Sequence, residues 1–134
     1  KIDNATSVNS TVAAQKIHNF LLRYSEGRKI YIVSAGLTLD IILLIELYKH
    51  LPENNLVDNF AFRNLPNYLN HHHGIDLNTL LRISGWDLSV PREKYVDAEL
   101  NQKHNALNDA EIVRLCFEKL VKENVFANFL NTLD

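Results

Sequence analysis

Methionine is missing altogether from the 134 residues and the chain begins at Lys1, so the sequence reads as a processed product or a piece of a longer one. Cysteine occurs once, at Cys116, which excludes an internal disulfide. On the apolar side of a predicted helix it reads as a packed thiol, and the simple expectation is a reducing, cytoplasmic setting. No apolar run approaches the roughly 20 residues of a membrane helix and no signal peptide is visible, so a membrane is not an expected partner. The Asn-X-Ser/Thr triplets at Asn4 and Asn9 would be glycosylation acceptors only in a secreted chain, which the single cysteine argues against. Nor is there a surplus of one charge. With a formal net charge of −2, no bulk basic field announces nucleic acid, and a polyanion must be met by a few local cations or by bound metal.

The composition itself is ordinary for one globular domain. Hydrophobic residues make up 46% and charged residues 22%, enough for a core of its own. Residues 1–11 are polar, with no apolar period, and predict a linker or a fraying end. From Val12 to Tyr24, the residues Val12, Ile17, Phe20, Leu21 and Tyr24 keep mostly to one face and predict an amphipathic helix ending at Glu26-Gly27. Lys29–Ser34 is a β-branched and aromatic run between Gly27 and Gly36, the pattern of a buried strand. Leu37–Leu51 is apolar on nearly every side and predicts an enclosed helix that Thr38 can cap. Asp40 stands out in its first turn. A lone buried carboxylate costs several kcal/mol unless a cation or hydrogen bonds meet it, so Asp40 either holds a metal or completes the cap at the helix dipole.

The middle of the chain is less periodic. Val57–Phe62 alternates enough for a short strand, and Pro66 interrupts the segment after it. His71, His72 and His73 are consecutive, so they point in different directions and read as a solvated loop rather than a metal site. Ile75–Ile83 predicts a short helix capped by Asp76 with Leu77, Leu80 and Leu81 buried. Ser84–Gln102 predicts a long loop, in which Arg92 and Lys94, with Lys103 just beyond, can meet phosphates and Trp86 or Tyr95 can stack on a base.

The stretch Lys103–Cys116 organises the rest. Ala106, Ala110, Val113, Phe117, Leu120 and Val121 recur at helical steps, and Asn105 or Asn108 can cap the start. Asp109 lies in the first turns, where the dipole favours a carboxylate, and His104 sits just outside. A firmly held carboxylate beside a loosely held imidazole suits metal-assisted hydrolysis, while capping alone accounts equally for the residue types.

The wording His104-Asn-Ala106-Leu-Asn-Asp109-Ala110 resembles the third motif of the DEDDh 3′-to-5′ exonucleases. The segment IYIVSAGLTLDIILL resembles their second motif, with Asp40 opening the helix, although Ser34-Ala35 and Leu39 replace the usual His-Asn pair and phenylalanine. Ile75-Asp76 leading into a helix resembles a further family segment, in which Asp76 is structural. The resemblance covers residues 12–122. It implies an α/β, RNase H-like fold in a helix-rich, partial version that lacks the first strands, since the first motif, an Asp-x-Glu on a strand, is missing and Asp3-Asn4-Ala5 does not supply it. It also implies Asp40 and Asp109 as ligands to Mg²⁺ or Mn²⁺, His104 as general base, and the 3′ end of a single-stranded nucleic acid as partner. A missing segment or a partner chain would complete the sheet. Two function classes are open: metal-dependent 3′-5′ exonuclease-like hydrolysis in the parent protein, with this chain alone inactive, or an incompetent remnant that acts as a binding module.

Overall fold

The computed structural model describes residues 9–51, 65–66, 68–69, 74–98 and 105–123. These form a mixed α/β, helix-rich arrangement with a small two-stranded parallel sheet. In chain order the elements are α1 (Ser10–Ser25), β1 (Ile32–Ser34), α2 (Leu37–Tyr48), β2 (Gly74–Asp76), α3 (Leu77–Ile83), α4 (Arg92–Tyr95) and α5 (Ala106–Lys122). β1 pairs with β2, and parallel neighbours require a crossover, here the segment that contains α2. The predicted strand at 57–62, the three histidines at 71–73 and the segment after 123 lie outside the described residues.

The chain divides into two compact units. The first comprises Lys1–Ile32 and Thr38–Gly74. Its helix α1 is capped by Asn9, whose side chain accepts from Thr11 N at 2.8 Å, so the helix begins before the predicted Val12. The face that α1 buries is not the one its large apolar residues suggested. Ala14, His18 and Ser25 are inside, whereas Phe20 is 60% and Tyr24 71% exposed. The reason is chemical: this core is built around tyrosine hydroxyls, and a histidine and small residues fit them better than a second layer of rings. Tyr48, Tyr68, Leu51, Leu65 and Leu69 pack with Ala14, and Pro66 is fully buried. The Tyr68 hydroxyl sits 2.9 Å from His18 Nδ1 and 3.2 Å from the Tyr48 hydroxyl, and it also reaches the His18 carbonyl oxygen at 3.4 Å. Most buried polar groups in proteins are partnered in this way.

Helix α2 corrects a second expectation. It is apolar on nearly all sides, yet of its residues only Tyr48 is buried; Leu39, Ile42 and Leu43 are each half-exposed or more. The all-round apolar pattern pointed to an enclosed helix because periodicity reports composition around the axis and not whether the chain supplies enough surface to cover it. Thr38 lies within the first turn of the helix rather than ahead of it.

The second unit comprises Val33–Leu37 and Ile75–Asp134. Asp76 caps α3 as expected, accepting from Thr79 N at 3.3 Å and from Thr79 Oγ1 at 2.7 Å. Leu77, Leu80 and Leu81 are buried, together with Ile75, Tyr95, Ile112, Cys116 and Leu120. On α5 the inward positions are Ile112, Cys116 and Leu120; Leu120 and the packed Cys116 are as expected, whereas Val113 and Phe117 lie at the margin and Ala106 and Ala110 are exposed. Burial pushes the Cys116 thiol up to about 11, which makes it a packing group rather than a nucleophile. The long predicted loop contains the single turn α4. Among the described residues no helix is long and apolar enough to cross a membrane.

The buried histidine makes the first unit sensitive to acid. Burial lowers the His18 pKa below 6.5, so the unfolded chain takes up a proton that the folded chain refuses. Stability is intact above about 6.5 and falls as pH drops below that value, levelling off under the folded-state pKa. Urea unfolding should therefore show a lower midpoint at pH 5.5 than at pH 7.5, and His18→Gln should shrink that difference. Equal differences in the two proteins would contradict the assignment.

Candidate metal and nucleic-acid site

Asp109 stands in the first turn of α5, and its surroundings decide whether it is there for capping. The cap is Asn105, in extended conformation, whose side chain accepts from Leu107 N at 3.0 Å, while its carbonyl accepts from Asp109 N at 2.9 Å. Of the two candidate caps in the sequence, Asn105 fills the position. The Asp109 carboxylate is exposed and makes no hydrogen bond or ion pair among the described residues. It is a hard oxygen donor at the positive end of a 17-residue helix, open to solvent. Farther along α5, Arg114 is held by Glu111 at 2.6 Å and by Glu118, which fixes that charged face within the helix. His104 and Lys103, expected beside Asp109, lie outside the described residues.

Asp40 stands in the first turn of α2. It is exposed, so burial places no demand for a cation on its carboxylate. It shares its placement with Asp109: an exposed first-turn carboxylate at a helix start. The two belong to different compact units. In donor chemistry they suit Mg²⁺ or Mn²⁺, which take carboxylate oxygens and keep several waters. Among the described residues, no three His, Cys, Asp or Glu side chains gather where they could hold a metal ion.

The expected phosphate and base contacts divide. Lys94 is exposed on α4. Arg92 is half-buried, and its Nη1 donates to Asn78 Oδ1 at 3.3 Å, while the Asn78 amide donates to the Ala35 carbonyl in the loop after β1. One part of that guanidinium is therefore spent on holding the strand end to α3 and α4. Tyr95 is buried, donates its hydroxyl to Glu123 Oε2 at 2.9 Å and meets Trp86 edge-on at 5.0 Å, so it belongs to the core and cannot stack on a base. The Tyr95 backbone is tied in as well, its carbonyl accepting from Lys119 Nζ at 2.6 Å.

One feature escapes a reading by motifs. Tyr24, Ser25, Arg28, Lys29, Ile30 and Tyr31 line an open depression of about 310 Å³ in the first unit. The signal available in the sequence was the interleaving of tyrosines and cations in RYSEGRKIY.

No family model, no curated protein and no solved structure is significantly similar to this chain.

The division of labour at the start of α5 can be measured. Asn105→Ala should destabilise the second unit by about 1 kcal/mol through loss of the cap. Asp109→Asn should lower stability by at most about 0.5 kcal/mol, the low end of an exposed charge–dipole interaction. Chemical denaturation of both variants checks this, and a larger loss for Asp109→Asn than for Asn105→Ala would return Asp109 to a structural role.

Proposed function

We propose that Asp40 and Asp109 belong to a metal-dependent 3′-to-5′ exonuclease-like centre that hydrolyses phosphodiesters at DNA or RNA ends. The observation that carries this reading is the Asp109 carboxylate, exposed and uncommitted at the start of α5 while Asn105 caps the helix. It falls within a sequence, His104 to Ala110, that resembles the third motif of the DEDDh exonucleases. The order of elements supports the reading too. β1 runs through a short turn into α2 with Asp40 in its first turn, and β2 runs into the Asp76-capped α3, the arrangement that an RNase H-like fold implies.

In this centre Asp40 and Asp109 would hold Mg²⁺ or Mn²⁺, which would supply Lewis-acid activation of the phosphodiester and of the attacking water. His104 takes the proton of the attacking water, a role that requires an imidazole within reach of a solvent molecule that arrives with the substrate. Lys94 and Lys103 meet flanking phosphates as point charges. Arg92 adds positive potential while it stays tied to Asn78.

A second reading, an exonuclease-like remnant that serves as an interaction module, is favoured by the exposed Leu39, Ile42 and Leu43 of α2. A time course on a 5′-labelled oligonucleotide with the full-length protein, in Mn²⁺ with and without EDTA, separates the two. The catalytic reading expects metal-dependent shortening from the 3′ end, abolished by Asp109→Ala. It expects His104→Ala to be slower by roughly a hundred- to ten-thousandfold, the usual worth of general base catalysis. Full activity in Asp109→Ala, or no shortening at all, would leave the interaction module standing.

A further inference from the structure

We propose that the outer face of α1 and the turn after it form a binding surface for single-stranded nucleic acid, in which bases stack on tyrosine rings and phosphates lie against arginine and lysine. The proposal adds a contact for the substrate class that the catalytic reading names. It can be tested without metal or turnover, so either can fail alone.

The surface is locally basic. Between Asn9 and Tyr31 four cations, Lys16, Arg23, Arg28 and Lys29, stand against the single acid Glu26, a local net of +3 in a chain of net −2. Helix α1 contains no acid at all. Among the described residues Lys16 has no ion pair, and the Arg23 guanidinium meets only the Asn19 carbonyl, at 3.3 Å. Arg28 and Glu26 pair at 3.1 Å with both side chains more than 70% exposed, an interaction weak enough to yield to a phosphate.

It is also aromatic. Lys16, Phe20, Arg23 and Tyr24 succeed one another at helical spacing, so two rings and two cations share a side of α1. The Phe20 and Tyr24 rings lie 6.3 Å apart and within 15° of parallel, both exposed and outside the core that His18 and Ala14 enter. Large rings left outside while small residues and a histidine go in are unexplained by folding. Stacking on bases is sequence-tolerant and uses such surfaces, with a cationic groove to follow the backbone.

The turn supplies the concavity. Glu26 at φ 48° and Gly27 at φ 80° reverse the chain in the left-handed region, and Ile30 N donates to the Tyr68 carbonyl at 2.9 Å, pinning the returning strand. Tyr31 and Lys29 are thereby brought to the same open depression as Tyr24 and Arg28, whose 310 Å³ lies at the small end of ligand-sized clefts, roughly 300–1,000 Å³. A base against a phenol ring with its phosphate toward Arg28 and Lys29 suits the open shape and the sign. An anionic membrane is the poorer match, because cations break the apolar stripe of α1 on its exposed side.

The test is fluorescence anisotropy of the 134-residue chain with a labelled 20-mer of thymidine and one of uridine, in EDTA, with circular dichroism to confirm that each variant is folded. Tyr24→Ala and Tyr31→Ala should each weaken binding by about 5- to 150-fold, the worth of a stacked base. The double variant Arg28→Gln, Lys29→Gln should reduce the salt dependence by about 1.4 in log–log slope, two phosphates at roughly 0.7 each. Binding unaffected by these folded variants would overturn the proposal. So would the absence of oligonucleotide binding, or binding to phosphatidylserine vesicles alone.

Discussion

The second unit depends on one side chain, Asn78. Its amide donates to the Ala35 carbonyl just past β1, and its carbonyl oxygen accepts from Arg92 on α4, so a single residue in the first turn of α3 joins a strand end to two helices. Helix α4 passes the constraint on: the Arg92 carbonyl accepts a weak bond from Cys116 Sγ at 3.8 Å, and the Tyr95 carbonyl accepts from Lys119. A two-stranded sheet of three-residue strands has too little ladder to fix its surroundings by itself. The polar ties, backed by Leu77, Leu81, Cys116 and Leu120, set where α5 begins. They also explain why Arg92 cannot be a wholly free phosphate ligand.

Within the second unit the candidate chemistry rests on the carboxylate of Asp109. At α5 the capping duty falls to Asn105, and Asp109 is released from it. At α3 the opposite holds, since Asp76 is fully engaged by Thr79 and is spent on structure. Two aspartates near helix starts thus have different meanings: Asp76 accepts from the Thr79 N–H, whereas the Asp109 carboxylate accepts no hydrogen bond from the described residues. The first unit contributes another kind of surface, a basic and aromatic face on a helix whose buried side is anchored by the hydroxyl and imidazole contacts of Tyr48, Tyr68 and His18.

Local signals were legible in the sequence and relational ones were not. The Asp76 cap, the Leu77, Leu80 and Leu81 face and the packed Cys116 follow from spacing within a few residues, and all three hold. The direction of α1 failed because a hydrophobic pattern gives no weight to Ala14, Ser25 or a histidine that finds a tyrosine 50 residues away. The enclosure of α2 failed for a related reason: nothing within Leu37–Tyr48 tells how much of the chain will come to cover it. Tyr95 was legible as an aromatic in a loop but not as a core residue, because its partners Trp86 and Glu123 come from either side of it in the chain. Asp40 and Asp109 were singled out from motif wording and helix position, and the depression beside Tyr24 was not, since it is created by a left-handed turn at Glu26 and Gly27.

The central proposal is that the carboxylates of Asp40 and Asp109 are ligands to a divalent cation, and paramagnetic broadening tests it most directly. In a titration of ¹⁵N-labelled protein with Mn²⁺, amide signals at the starts of α2 and α5 should broaden saturably, and Asp40→Asn and Asp109→Asn should each abolish the broadening at its own helix. Broadening that survives at the helix whose aspartate is replaced would contradict metal binding by that carboxylate.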